Sequence, residues 1–292
     1  MKPLDVFTPD ELSSGVPPDL SYAAYRFLAE GDSWFTLSTL NPGKNANLLF
    51  QMQFEQFACA VNCAYPGDTL SHMVEMNSDP QFVQLLCGKR ARIWDGLLLS
   101  CGGNDLIDAL KASGPGVPND QRLLLPAAEW GPEAGGPARY LSPEGWATFD
   151  NYLRANFEHL LGLRDAGPSA HCPAFIHGYA CPTPRAAGAG FGLGPWLMPS
   201  LVAHGIPTGD WIALSALLMK QLGQLLSAIA ADGVRFPNLH FFDTSVIDIV
   251  PAELNTSGAS GDWVNEIHLT RSGYKKLALP WAAAIERVLR PG

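Results

Sequence analysis

The chain has 292 residues, of which 47% are hydrophobic and 16% charged, and its net charge is −9. This composition is typical of a globular protein, and we predict one α/β domain over residues 1–292. The acidic balance argues against a nucleic-acid partner, because phosphate binding needs concentrated positive charge. The first residues have no basic segment followed by an apolar one, so no secretory signal is predicted and a cytoplasmic location is expected.

Five short apolar runs alternate with helical patterns along the chain. Short, nearly continuous apolar runs are typical of parallel strands that are buried on both faces. The predicted strands are residues 25–30, 57–62, 93–100, 174–178 and 239–243. The predicted helices are residues 70–87, 143–163, 208–232 and 270–289. We therefore expect a three-layer α/β/α sandwich around a parallel sheet of about five strands.

The sequence also indicates where two of the helices begin and whether any segment could span a membrane. Ser142 before Pro143 is a typical N-cap, and Thr270 is suited to cap the last helix. The stretch 211–231 contains Lys220 and Gln224, which indicates an amphipathic helix. No transmembrane segment is predicted, because no run reaches the roughly 18 uninterrupted apolar residues that a span needs.

Two segments are long for connections within a compact domain. Residues 112–141 and 181–207 are rich in Gly and Pro and contain aromatic residues such as Trp130 and Trp196. Loops of this length either carry function or cover the sheet. Two interpretations stay open: they form walls of a substrate cleft, or they pack on the edges of the sheet.

Metal and cofactor signals are weak. The six cysteines include no C-x-x-C pair, and we predict them to be reduced and buried. One run brings possible ligands near each other in sequence, but strand alternation spreads them over both faces: His171, Cys172, His177 and Cys181. The glycines of 188–194 follow no predicted strand, which argues against a dinucleotide site. We expect neither a metal nor a cofactor.

Four polar blocks lie at the ends of predicted elements. In chain order they are Gly31-Asp32-Ser33, Asn62 to Thr69, Gly102-Gly103-Asn104-Asp105 and Asn265-Glu266-Ile267-His268. The first three follow strands, and the carboxyl ends of parallel strands meet at the edge where ligand crevices form. In this order the blocks resemble those of the SGNH, or GDSL-type, hydrolases, over about residues 25–280.

The resemblance implies a flavodoxin-like SGNH hydrolase fold and a set of site residues. Ser33 would be the nucleophile, and His268 the general base that later acts as an acid toward the leaving alcohol. The oxyanion hole would be formed by the backbone N–H groups of Ser33 and Gly67 and by the side-chain amide of Asn104.

One position departs from the family pattern. The acid that usually stands three residues before the histidine is here Asn265, which can orient His268 through its carbonyl oxygen but supplies no charge. Three outcomes stay open: Asn265 is the orienting residue of a Ser-His dyad, a nearby carboxylate replaces the acid, or the site is impaired. Of the two nearby carboxylates we favour Asp262 over Glu266, which would point differently in an extended segment.

Two functions from different classes are compatible with this sequence. The favoured one is a carboxylic-ester hydrolase that forms an acyl-enzyme on Ser33. The alternative is a catalytically impaired relative that binds an acylated ligand or a protein partner, because Asn265 lacks the charge. A small-molecule, lipid or carbohydrate ester is the expected ligand, and the acyl chain, the alcohol and any protein partner are left open.

Overall fold

The computed structural model describes residues 1–36, 39, 43–77, 80–114 and 116–290. Its strands are β1 (Lys2–Pro3), β2 (Asp5–Phe7), β3 (Tyr25–Gly31), β4 (Gln53–Phe54), β5 (Ala58–Asn62), β6 (Gly96–Ser100), β7 (Ala174–His177) and β8 (Leu239–Phe242). Its α-helices are α1 (Leu70–Met73), α2 (Pro80–Leu86), α3 (Gly103–Leu110), α4 (Pro143–Ala166), α5 (Met198–Ala203), α6 (Trp211–Ala231) and α7 (Arg271–Leu289). Short 3-10 turns are Glu11–Ser13, Leu49–Gln51, Asn119–Gln121, Ala127–Glu129, Glu133–Tyr140, Thr208–Asp210 and Thr244–Val246.

A parallel sheet of six strands, in the order β2-β5-β3-β6-β7-β8, forms the centre of the fold. The five predicted strands are present in the flavodoxin-type order, which confirms the predicted α/β class. The predicted count of about five is one too low. The additional strand, β2, pairs in parallel with β5 at the edge of the sheet. It has only three residues between Pro3 and Pro9, too few to show a strand pattern.

Both faces of the sheet are buried, which explains the continuous apolar runs. Leu97 and Leu99 belong to one core, which the helices α1–α4 and α6 cover, whereas Leu98 between them belongs to the other, covered by α7. Side chains alternate across a strand, so a strand that is apolar at every position needs a cover on each side. The result is the predicted three-layer α/β/α sandwich.

The four predicted helices are present with one difference, and α3 and α5 were not among the predicted helices. Ser142 and Thr270 cap α4 and α7, because their hydroxyl oxygens accept the N–H groups of Gly145 and Gly273 at 3.0 and 3.2 Å. The single helix predicted over 70–87 is instead two helices, α1 and α2, and residues 78 and 79 lie outside the described residues. Proline at position 80 starts α2 because it lacks the N–H that a helix interior needs.

Helix α6 is amphipathic. Together with the turn before it, Thr208–Ala231 is long and apolar enough to cross a membrane by length and composition alone, a property that core helices of soluble proteins share. It packs against β8. Its buried apolar residues recur at helical spacing: Leu214, Leu218, Leu222, Leu226 and Ile229. Lys220 and Gln224 lie on its exposed side, as the amphipathic pattern predicted.

The cysteines differ in burial. All six lie in the described part of the chain, and none forms a disulfide. Only Cys59 and Cys101 are buried, and Cys181 is exposed. The prediction of buried thiols therefore holds for Cys59 and Cys101 only: Cys63, Cys87 and Cys172 are half-buried, and Cys181 is exposed because it lies in the connection after β7.

Candidate active site

Ser33 lies directly after β3, next to the end of β6, where the strand order of the sheet reverses. Ligand crevices of open α/β sheets form at this reversal. The two strands approach closely here because position 31 is glycine. A Cβ on Gly31 would lie 2.7 Å from both the Cβ and the carbonyl oxygen of Ser100, closer than real side chains come. Gly31 therefore fixes where Ser33 leaves the sheet.

Asp32 orders the turn that presents Ser33. Its carboxylate accepts hydrogen bonds from the Trp34 N–H at 2.9 Å and the Ser100 hydroxyl at 2.8 Å. The Tyr179 hydroxyl donates a third at 2.6 Å. Burial raises the pKa of Asp32 to about 6, and the three donors oppose this rise. Asp32 is thus a structural carboxylate that connects the ends of three strands.

The structure brings Ser33 and His268 into direct contact. The Nε2 atom of His268 lies 2.6 Å from the Oγ atom of Ser33, although the residues are 235 positions apart. Ser33 is 8% exposed and His268 2% exposed. This distance is within the hydrogen-bond reach that proton transfer between a nucleophile and a base requires.

Asn265 determines which nitrogen of His268 carries the proton. Its Oδ1 lies 2.9 Å from the Nδ1 atom of His268. The same oxygen accepts the backbone N–H groups of Ile267 at 3.2 Å and His268 at 2.9 Å. Backbone N–H groups only donate, so the atom they contact is the amide oxygen and not the NH₂ group. Nδ1 is therefore the donor in the His268–Asn265 bond, and Nε2 is left to accept the Ser33 proton.

Burial keeps His268 neutral. Removal from water lowers the pKa of its imidazole to about 3, because the charged form loses its hydration. At neutral pH the ring is therefore an unprotonated base. The loop around it is fixed to the nucleophile turn, since the indole N–H of Trp34 donates to the carbonyl oxygen of Ile267 at 3.1 Å.

The carboxylate considered as a replacement acid, Asp262, lies elsewhere. It accepts the backbone N–H of Val250 at 2.8 Å and the ammonium group of Lys276 at 2.6 Å. The Nδ1 atom of His268 faces Asn265 instead. Asp262 serves the loop before α7: its own carbonyl oxygen accepts the Thr270 N–H at 2.7 Å.

The structure places one of the two remote oxyanion candidates, Asn104, at the cavity that Ser33 lines, whereas Gly67 is exposed and does not line it. Asn104, in the first turn of α3, lines a cavity together with Ser33. Its Nδ2 donates one hydrogen to the Asp68 carbonyl oxygen at 3.0 Å, which leaves the second for a ligand. Gly67 lies on the adjoining loop after β5 with φ of 94°. Within the described ranges, no acceptor contacts the backbone N–H of Ser33 or of Gly67.

Two charged residues near His268 have structural contacts: Glu266, which the sequence analysis weighed only as a replacement acid, and Arg185, which it did not consider. The carboxylate of Glu266, fully buried, accepts backbone N–H groups of Arg185, Trp196, Leu197 and Met198. The guanidinium of Arg185 donates to the Asn265 carbonyl oxygen at 2.7 Å. Both pairs join the segment 181–207 to the histidine loop. The available signal was the glutamate of the Asn265-Glu266-Ile267-His268 block, since a carboxylate that becomes buried needs hydrogen-bond donors.

The two long segments therefore differ in position. Segment 181–207 borders the site, and the Trp196 ring packs edge-on against the His268 ring at 5.1 Å between centroids. Segment 112–141, of which residue 115 lies outside the described residues, packs on α4 and α6 and buries Tyr140. The position of the first segment favours the cleft-wall interpretation for it, and the contacts of the second favour the packing interpretation.

His177, at the end of β7, packs against the turn that carries Ser33. Its burial predicts how the stability of the protein depends on pH. Its ring stacks on Trp34 at 5.7 Å, and burial lowers its pKa from 6.5 to about 4. The folded protein thus binds fewer protons than the unfolded chain below pH 6.5, so stability is lost as the pH falls toward 4. Between about pH 7 and about pH 5, the free energy of unfolding of the wild type should therefore fall by roughly 2 kcal/mol more than that of His177→Phe.

Urea denaturation of both proteins at the two pH values measures this. His268 titrates in both proteins, so the difference between them isolates His177. The expectation is contradicted if wild type and variant lose the same stability over this range.

Comparison with known proteins yields structural matches only. No protein-family model matches the chain, and no curated protein does. An extracellular lipase from Streptomyces rimosus is 16% identical, with 89% of this chain and 99% of that one covered and a TM-score of 0.48. A phospholipase A1 from Streptomyces albidoflavus is 14% identical, with 90% and 99% covered and a TM-score of 0.46.

A further solved structure has a TM-score of 0.51 at 12% identity, covering 91% of this chain and 99% of its own. A likeness at this identity concerns the fold alone. The strand order and the layers are those of a flavodoxin-like α/β/α fold, the fold that the resemblance of the polar blocks implied. What the site does has to be argued from its own geometry.

Proposed function

We propose that the protein is a serine hydrolase that cleaves carboxylic esters through an acyl-enzyme on Ser33. The observation that carries the proposal is the 2.6 Å contact between His268 Nε2 and Ser33 Oγ, combined with the 2.9 Å contact that makes Nδ1 the protonated nitrogen. A neutral imidazole in this tautomer accepts the hydroxyl proton as the serine attacks.

The reaction would proceed in two halves. Ser33 Oγ attacks the ester carbonyl carbon while His268 Nε2 takes its proton, and the imidazolium then returns that proton to the leaving alkoxide. A water molecule repeats the sequence on the acyl-enzyme and releases the carboxylic acid. In both halves the negative oxygen would be held by the N–H groups of Ser33, Gly67 and Asn104. Each such donor is worth about 3–4 kcal/mol in the transition state.

The competing hypothesis, a non-catalytic protein that binds an acylated ligand, rests on Asn265. An amide in the opposite orientation would favour the wrong tautomer of His268 and disable the base. Here the two backbone N–H groups on Oδ1 exclude that orientation. The geometry of Asn265 therefore supports turnover, with the amide as orienter.

Covalent labelling tests the proposal without knowledge of the natural ester. A fluorophosphonate should react with Ser33 in the folded protein, and peptide mass spectrometry should locate the phosphonyl group on that residue. Heat-unfolded protein is the control, because labelling needs the contact with His268. A folded protein whose Ser33 stays unmodified would contradict the proposal.

A further inference from the structure

The cavity beside Ser33 is small and mainly apolar. It measures about 40 Å³ and is bordered by the polar groups of Ser33 and Asn104 on one side. Its other walls come from α3, α6 and the connection after β7: Ile107, Tyr179, Ala180, Pro182 and Met219. A water molecule needs at least roughly 10–15 Å³ of such space. The enclosed space beside Ser33 is therefore small and suits a short acyl group better than a long one.

A much larger cavity adjoins it. This second cavity measures about 750 Å³ and lies between the outer side of α6 and the segments that follow β7 and β8. Four residues line both cavities: Tyr179, Ala180, Pro182 and Met219. These four residues, the wall residues, lie between the space beside Ser33 and the larger one.

Hydrogen bonds hold two of the wall residues, Tyr179 and Pro182. Tyr179 donates its hydroxyl hydrogen to Asp32 at 2.6 Å. The carbonyl oxygen of Pro182 accepts the Ser215 hydroxyl at 2.6 Å, which holds the backbone beside Ala180. Met219 is a partly buried thioether on α6 that packs against the core. Its side chain is unbranched and flexible, so its substitution changes the wall without breaking a hydrogen bond.

We infer that the site is built for short acyl groups of acetyl size, and that Met219 sets this limit by closing the space beside Ser33 off from the larger cavity. The inference rests on the proposed ester hydrolysis and adds the class of substrate to it. Long acyl chains are excluded because they need volume that the wall occupies. Methylene-sized differences in such pockets change kcat/KM by about 10–200-fold.

The test compares p-nitrophenyl acetate, butyrate and octanoate. We expect wild-type kcat/KM to fall on the order of 100-fold or more from acetate to octanoate. In Met219→Ala the ratio of octanoate to acetate should rise at least about tenfold, because truncation joins the two cavities. Met219→Leu conserves the volume and should keep the wild-type profile. Leu217→Ala is the matched control, since Leu217 lies on the same helix but lines neither cavity.

The outcomes distinguish a failure of the short-acyl inference from a failure of the proposed ester hydrolysis. A wild-type preference for octanoate, or an unchanged profile in Met219→Ala, overturns the short-acyl inference while ester hydrolysis stands. Equal acetate hydrolysis by wild type and Ser33→Ala overturns the proposed function itself. If Met219→Ala does not fold, the wild-type profile and that of Met219→Leu still decide whether acetyl-sized groups are preferred.

Discussion

Ser33→Ala is expected to lower kcat for p-nitrophenyl acetate roughly 10⁴- to 10⁶-fold. The substitution removes the atom that forms the acyl-enzyme but leaves the oxyanion donors, so a residual rate above that in water should persist. The fold should be retained, because Gly31 and Asp32, which position the turn, are unchanged. Steady-state hydrolysis at about pH 8 and thermal unfolding of both proteins provide the measurements; at this pH Asp32 and His268 are both unprotonated.

A second substitution sharpens this prediction. His268→Ala should cost a similar factor, and the double variant with Ser33→Ala should lose little more, because nucleophile and base act as one unit. Ser71→Ala is a matched serine control. Its hydroxyl contacts Thr69 at 3.1 Å, outside the cavity that Ser33 lines. Additive losses in the double variant, or near-wild-type activity in Ser33→Ala, would contradict a shared Ser33–His268 mechanism.

The placement of the site could be predicted because it depends on where strands end. Ser33 and Asn104 follow β3 and β6, which are neighbours in the sheet through the pairing of Gly31 with Ser100. Their proximity follows from parallel strands with common carboxyl ends. His268 is different, because only the resemblance to a known family placed it there. The periodicity of the chain does not predict that the loop before α7 contacts Ser33.

The contacts of Glu266 and Arg185 that hold the histidine loop could not be predicted from the sequence, because each joins residues that are far apart in the chain. Glu266 finds its donors about 70–80 positions away, and Arg185 reaches Asn265 across 80 positions. Local patterns show that such charges exist but not which partner makes their burial tolerable. β2 was missed for a related reason, since three residues become a strand only through their pairing with β5.

The proposed mechanism depends on the orientation of the Asn265 amide, which gives the second large prediction. Asn265→Leu removes the acceptor for Nδ1–H, so the His268 ring loses both its tautomer and its direction. We expect kcat to fall about 10³- to 10⁴-fold, the scale seen when a serine hydrolase loses its orienting residue. KM should change little, because Asn265 does not line the cavity beside Ser33. A kcat near that of wild type would show that the orientation of His268 does not depend on Asn265.

Asn265→Asp then distinguishes an orienting amide from an impaired acid. The tautomer is already correct in the wild type, so we expect kcat at about pH 8 to stay within about tenfold of it. The added carboxylate should raise the pKa of His268 from its depressed value, because a nearby negative charge favours the imidazolium. The acid limb of kcat/KM should therefore move to higher pH, a readout that a purely structural role of residue 265 does not change.

The size of the change in kcat decides between the two interpretations. A gain of about 10³-fold or more in Asn265→Asp would mean that the missing charge, and not orientation, limits the wild-type site. Retained activity with a shifted pH profile would mean that geometry suffices: Oδ1 is held by two backbone N–H groups, with the Arg185 guanidinium on the Asn265 carbonyl. That guanidinium also offers a carboxylate at position 265 a nearby positive charge. Loss of activity in Asn265→Asp therefore indicates a specific need for the amide rather than an unpaired buried charge.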